Sequence, residues 1–332
     1  MKKVFKLLLA SLMLVSLVAC SDSATETDVT DDTTKVVNVG VLQLVEHVAL
    51  DAATQGFYDA MAERGFIDGE NVIYDKQNAQ GDMSNCETIA NKFVNASVDL
   101  IFANATPAAQ AAAAKTTDIP IVITAVTDPE SAGLVDTNDL SNTNVAGTSD
   151  LTPVKEQIEL LQDLIPDAEK VAIMYCSSED NSIFQKDIAI AELEAAGLEY
   201  VEASVADTTT IQSVTESLIG KVDAIYIPTD NLLAENMSTV SNITNENGIP
   251  VIVGEPGMVT LGGLATYGID YYNLGVKSGQ IAADILEGAD PATMSIAYLP
   301  ADDCELVINQ TTADLLGIQI SAEVLENAVI IE

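Results

Sequence analysis

Six short polar stretches carry most of the side chains in this 332-residue chain that could recognise a small molecule. Three fall in the first half: Gln43-Leu44-Val45-Glu46-His47, Asn104-Ala105-Thr106-Pro107 and Thr127-Asp128-Pro129. Three fall in the second: Tyr175 through Ser182, Thr229-Asp230-Asn231 and Gly254-Glu255-Pro256. Each follows an apolar run, and most open a segment of helical periodicity, so they sit at strand-to-helix turns. A helix N-terminus offers unpaired N–H groups and a positive dipole end, which suit a carboxylate. Thr106 and Ser182 add hydroxyls there, while Asp128, Glu179, Asp230 and Glu255 offer anions to an ammonium group. Donors for an anion beside acceptors for a cation make a receptor for a zwitterion, an amino acid. Each of these residues is, taken singly, also a good helix N-cap, which is the competing structural role.

Catalysis has little to work with. His47 is the single histidine, and no Gly-x-Ser-x-Gly elbow exists to pair with it. There is no His-Glu-x-x-His, no Gly-x-x-x-x-Gly-Lys loop, no Gly-x-Gly-x-x-Gly turn and no full calcium loop. We therefore expect no enzyme, no cofactor and no metal. A glycosidase-like carboxylate pair is cheap to propose in a chain with 51 acidic residues and carries no weight.

The charge balance narrows the partners. Against those 51 acids stand 13 Lys and Arg, a formal net charge of −38, which excludes nucleic acid because phosphate binding needs clustered cations. At 48% apolar residues the chain is too hydrophobic to be disordered. Its start is different in kind. Lys2, Lys3 and Lys6 precede an apolar run from Leu7 to Val18, the pattern of a secretory signal and too short for a membrane span. Cys20 follows Leu-x-Ala, which looks like a bacterial lipobox and implies cleavage after residue 19 with lipid on the Cys20 thiol. Residues 20–35 are acidic and Thr-rich, a solvated tether. Cys86, Cys176 and Cys304 remain, with no Cys-x-x-Cys; one disulfide plus a free thiol, or three free thiols, are both open.

Behind the polar turns, strand and helix patterns alternate from Val36 onward. Residues 36–150 read β-α-β-α-β-α-β, and a second run of the same kind fills 151–270. Among its elements, Leu232–Asn245 reads as one helix, Gly254-Glu255-Pro256 as a loop and Ser295–Leu299 as a strand. Part of 271–332 is expected to return to the first lobe. The fold class is α/β: two doubly wound parallel-sheet lobes, with the ligand cleft between them at the strand C-termini. Tyr175, Phe102, Tyr226 and Tyr267 lie near strand ends, where they either stack on a ligand ring or pack on the sheets.

Several strings carry a family resemblance. Val45-Glu46-His47-Val48-Ala49-Leu50-Asp51, Gln77 through Asp82, Ala105 through Gln110, Val126-Thr127-Asp128-Pro129, Asn144 through Asp150, Tyr226 through Asn231 and Gly262 through Gly268 occur in order across residues 36–320. Together they resemble bacterial ABC-transporter substrate-binding lipoproteins of the tryptophan or aromatic amino-acid type. The resemblance implies the bilobed type I periplasmic-binding-protein fold with a three-crossover hinge. It further implies a monomer, lipid-anchored outside the cell membrane, that delivers an amino acid to an ABC permease with a cytoplasmic ATPase. The residues it places in the cleft are Glu46, Thr106, Asp128, Ser178, Glu179, Asn181, Ser182, Asp230, Asn231 and Glu255. Thr106 and nearby N–H groups would hold the ligand carboxylate, and the second-lobe acids its ammonium. Two positions depart from the family pattern: Val48 stands where Pro usually follows Glu-His, and Cys176 where Asn usually follows Tyr. A sensing lipoprotein for a signalling partner, or a receptor for an aliphatic amino acid or other small solute, is the alternative reading.

Overall fold

The computed structural model of the protein describes residues 36–299 and 303–332. The signal segment, Cys20 and the tether lie outside the described residues. Two sheets organise the rest. The first is built from β1 (Val37–Gln43), α1 (Val48–Glu63), β2 (Val72–Asn78), α2 (Met83–Ala96), β3 (Leu100–Asn104), α3 (Thr106–Ala113), β4 (Ile121–Val126) and β5 (Val145–Ser149). All five strands are parallel, in the order β2-β1-β3-β4-β5. Strands β3, β4 and β5 are buried at every residue, which is why they read as continuous apolar runs.

The second sheet follows with α4 (Val154–Leu164), β6 (Lys170–Cys176), α5 (Asp180–Ala196), β7 (Glu199–Val205), α6 (Thr208–Leu218) and β8 (Ala224–Ile227). It continues through α7 (Asn231–Glu235), α8 (Met237–Glu246), β9 (Val251–Val253), α9 (Pro256–Thr260) and β10 (Ala265–Gly268). The chain then leaves for α10 (Tyr271–Leu286) and returns with β11 (Glu305–Asn309), α11 (Gln310–Leu316), α12 (Ala322–Leu325) and β12 (Ala328–Ile331). The strand order is β12-β11-β10-β9-β8-β6-β7, parallel except where β11 runs against β10.

The lobes are tied by three passages of the chain. The first follows β5, and the second leaves β10 for α10, which lies along α1 and over β4 and β5. After Ala297 bridges Thr148 beside the first sheet, the chain is back in the second sheet at Glu305. Helices α1 and α10 approach closely because Gly56, Gly275 and Gly279 have no side chains at the crossing. A Cβ on Gly275 would collide with the Ala53 carbonyl oxygen, and one on Gly56 with that of Tyr272.

Three local readings of the sequence differ from the structure. The helix expected over Leu232–Asn245 is two, α7 and α8, broken at Asn236, whose side chain instead bonds the Leu232 carbonyl (2.8 Å). The Gly254-Glu255-Pro256 loop opens a five-residue helix, α9, too short to show a period. Ser295–Leu299 forms a single bridge at Ala297 rather than a strand.

Candidate functional site

The lobes are pressed together at the strand C-termini. Among the described residues, side-chain hydrogen bonds cross between them from His47 Nε2 to Asn231 Oδ1 at 3.3 Å, Gln110 Nε2 to Asp180 Oδ2 at 2.8 Å, and Gln185 Nε2 to Thr127 Oγ1 at 3.1 Å. Behind the first contact lies an inner cavity of ≈ 10 Å³, room for about one water-sized group. His47, Leu50, Ala125, Asp150, Asn181, Thr229, Asp230, Asn231, Ala234, Glu255 and Tyr271 line it. In front lies a groove of ≈ 380 Å³ that shares Asn231 and has apolar walls from Leu44, Val45, Met83, Pro107 and Leu232.

Strand ends aim these residues. Strand β4 carries a register irregularity after Ile123, and Ala125 adopts a positive φ of 52° there. That bulge turns the Ala125 backbone into the cavity wall. Ala105, just before α3, holds φ at 92°. Such conformations are costly away from glycine and concentrate at functional sites. The α3 N-terminus has no side-chain cap, and the buried Thr106 hydroxyl has no partner.

The inner cavity is walled by acceptors. Asp150 takes hydrogen bonds from the Thr127 hydroxyl (3.0 Å) and the Tyr271 hydroxyl (2.7 Å). Asp230 accepts from the N–H groups of Cys176 (2.5 Å) and Leu233 (2.8 Å), and Glu255 from those of Gly257 (2.5 Å) and Met258 (2.8 Å). Glu179, just outside the cavity, accepts from Asn231 Nδ2 (2.6 Å) and the Leu232 N–H (3.0 Å). Two further acceptors, His47 Nδ1 and Asn181 Oδ1, are buried without a partner. The ion pairs among the described residues lie elsewhere, and none reaches any of these four acids.

Burying anions without cations shifts their protonation. Burial, and then the nearby Glu179 charge, push the Asp230 carboxyl up to about 7, against the pull of its N–H donors. Burial likewise carries Glu255 to about 7 and pushes Asp150 and Glu179 up from their ordinary values, against the hydrogen bonds each accepts. His47 moves the other way, pushed down to about 4 by burial, so its ring is neutral at physiological pH.

Of the residues expected in the cleft, Asn181, Asp230, Asn231 and Glu255 line the inner cavity, and Ser178, Glu179 and Asn231 line the groove. Ser182 is buried behind them, hydrogen-bonded to Asp230. Thr106 stands next to groove residue Pro107. Glu46 is exposed, and Asp128 is half-buried, bonding the Ser131 N–H (2.7 Å) and Asn138 (3.1 Å); neither lines the inner cavity or the groove. Glu179, Asp230 and Glu255 each hold the start of a short helix, so the capping role is real for them. The four aromatics considered as stacking partners pack elsewhere. Phe102 stacks on Phe57, Tyr226 is buried with its hydroxyl on Gln157, Tyr175 bonds Glu202, and Tyr267 joins the second-lobe core.

Asp150 and Tyr271 were missed by sequence reasoning. Asp150 follows β5 but leads into a lobe passage rather than a helix, so no capping pattern flags it. Tyr271 reads only as the first residue of α10. Their signal was faint: an acid ending an otherwise apolar strand, and an aromatic where a passage ends.

The chain matches the family described as ABC transporter substrate binding protein over residues 38–331. It belongs to that family. Among its relatives, a tyrosine-binding protein of Clostridioides difficile (strain R20291) is 42% identical over 323 residues, 96% of this chain and 93% of that protein. The ABC domain from Streptococcus pneumonia, solved in complex with L-Trp, superposes with a TM-score of 0.86 at 36% identity, covering 90% of this chain and all of that one. The ligand-free, open structure of a substrate-binding protein with adhesive properties from Clostridium difficile is 44% identical over 90% of this chain and 99% of that one, yet superposes at only 0.69. The better fit to the liganded relative, despite lower identity, agrees with the inter-lobe contacts: this substrate-binding protein is in its closed form. The fold is the type I periplasmic-binding-protein fold. Cys86, Cys176 and Cys304 stand as separate thiols among the described residues, with Cys176 pushed up to about 12 by burial.

Proposed function

We propose that this substrate-binding protein captures an aromatic L-amino acid by lobe closure and presents it to its ABC importer. The observation that carries the reading is the inner cavity: it is water-sized, lined with buried carboxylates and unpartnered acceptors, and no cation among the described residues pairs with them. A primary ammonium has the matching size, charge and three N–H donors. The uncapped α3 N-terminus with its orphaned Thr106 hydroxyl offers the matching place for the ligand carboxylate. The ring then lies in the groove, whose volume falls within the usual range for small-molecule sites. The relatives that bind tyrosine and L-Trp support an aromatic side chain over an aliphatic one. Binding without turnover is part of this reading, as suits a family described by substrate binding.

Family members work outside the cytoplasmic membrane, and we place this chain there through lipid on Cys20, with residues 20–35 as the tether, as a monomer. The lobe boundaries near residues 150 and 270 make these passages the hinge that rotates on closure. A thermal-shift panel of the common amino acids tests the reading. A ligand at 100 times its Kd adds about 2.7 kcal/mol of stability. Stabilisation by tryptophan, tyrosine or phenylalanine alone is expected; stabilisation by aliphatic amino acids alone, or by none, refutes it.

A further inference from the structure

The lone histidine holds an unmet hydrogen-bonding position. Glu179 is an acceptor on all sides, taking N–H bonds from Asn231 Nδ2, Asn181 Nδ2 and the backbones of Asn231 and Leu232. That fixes the Asn231 amide, because its NH₂ must face the carboxylate and its oxygen must face His47. The imidazole nitrogen 3.3 Å from that oxygen is Nε2, which must therefore carry the ring proton. Nδ1 is left with a bare lone pair, buried and unpartnered in the cavity wall. Burial keeps the ring neutral, so Nδ1 stays unprotonated.

We propose that Glu179 and Asn231 lock His47 as the Nε2–H tautomer across the closed cleft, and that its Nδ1 accepts one N–H of the ligand's primary ammonium. This rests on the amino-acid reading above and names what the site demands of the ligand nitrogen. Asn181 Oδ1 and Asp150 offer the other N–H groups their partners in the same cavity. A nitrogen carrying an alkyl group presents fewer donors and does not fit a space of ≈ 10 Å³. The selected class is therefore primary α-amino acids, to the exclusion of N-alkylated ones. His47 belongs to the first lobe, and Asn231 and Glu179 to the second, so the lock is completed only on closure. Ligand discrimination at the nitrogen is thus a property of the closed state.

One histidine makes the test unambiguous. The ¹⁵N imidazole spectrum of the full protein, carrying an affinity tag without histidine, is recorded with saturating L-tryptophan between pH 5 and 8. The expected result is a protonated Nε2 and a bare Nδ1 throughout, with Nδ1 shifted by the ligand. An Nδ1–H tautomer, or an imidazolium titrating in that range, overturns the proposal. Calorimetry adds two readings. His47→Leu is expected to weaken binding roughly 10- to 100-fold, as for a lost bond to a charged donor, with partial recovery in His47→Asn. Nα-methyl-L-tryptophan is expected to bind wild type at least about tenfold more weakly than L-tryptophan, by the same loss. Equal binding in either comparison overturns the proposal while the amino-acid reading stands. A wild type that binds no amino acid overturns both, and the spectrum needs no variant to fold.

Discussion

Asp150→Asn separates a binding role from a structural one, because the two predict opposite signs. Asp150 is 4% exposed and lies in the cavity wall among other acids, with no cation among the described lining residues. In the empty closed protein its charge is a liability, so burial raises its pKa. An Asn of the same shape keeps an acceptor for the Tyr271 hydroxyl at 2.7 Å, and the Thr127 hydroxyl at 3.0 Å can rotate to accept from the new amide. The variant is therefore expected to keep its melting temperature or gain slightly. Binding responds the other way. Removing one partner of a desolvated charge pair costs about 2–5 kcal/mol, and the retained amide oxygen recovers part of it. A net loss of about 2–4 kcal/mol is expected, or roughly 30- to 1,000-fold in Kd. Calorimetry with L-tryptophan and L-tyrosine, paired with thermal melts of the empty protein, reads both quantities. A change in Kd below about threefold, on the order of 0.7 kcal/mol, removes Asp150 from the ammonium site. A fall in affinity matched by a fall in stability would show that the residue acts through the fold alone.

Three other expectations follow from the same geometry. Thr106→Val should weaken amino-acid binding by about 1.5–3 kcal/mol, the value of a hydrogen bond to a charged group, and an unchanged Kd would remove it from the carboxylate site. Asp230 and Glu255 are raised from 3.8 and 4.5 to about 7, so the stability of the empty closed form is complete below the ordinary carboxylate range and lost as pH rises through about 7. Small-angle scattering of the ligand-free protein should show a smaller radius of gyration at pH 5 than at pH 8, and the reverse trend would contradict the burial of these acids. Gly275→Ala should destabilise the protein by about 1–3 kcal/mol or more, because the new methyl meets the Ala53 backbone and helices cannot part without strain. An unshifted thermal melt would mean that α1 and α10 do not cross this closely.

The alternation of strands and helices was legible because buried parallel strands must be apolar throughout and covering helices must show a 3.6-residue face, as β3, β4 and α1 do. Short elements were not: α9 has five residues and no room for a period, and Asn236 interrupts α7 and α8 without a proline or glycine to announce it. At the site, the strand-end turns marked Asn181, Asp230, Asn231 and Glu255 through their polarity, though the same polarity caps helices. The rest depends on three-dimensional coincidence. Asp150 and Tyr271 are 121 residues apart and meet only because α10 returns to the first lobe. His47 gains meaning only beside Asn231, 184 residues away, on the opposite lobe. Aromatic residues near strand ends misled for a related reason: Phe102 and Tyr226 face the helices that cover their sheets, not the cleft.

Recognition turns on an ammonium held in the acceptor-lined cavity, and the absence of tryptophan from the chain gives direct access to it. Indole emission excited at the red edge reports only added ligand, so L-tryptophan is titrated alongside indole-3-propionate, which lacks the α-amino group. A saturable signal is expected for L-tryptophan and none for the desamino acid over the same range, with thermal stabilisation by L-tryptophan alone. Equal responses to the two would show that the nitrogen is not recognised, and with that the reading of the cavity fails.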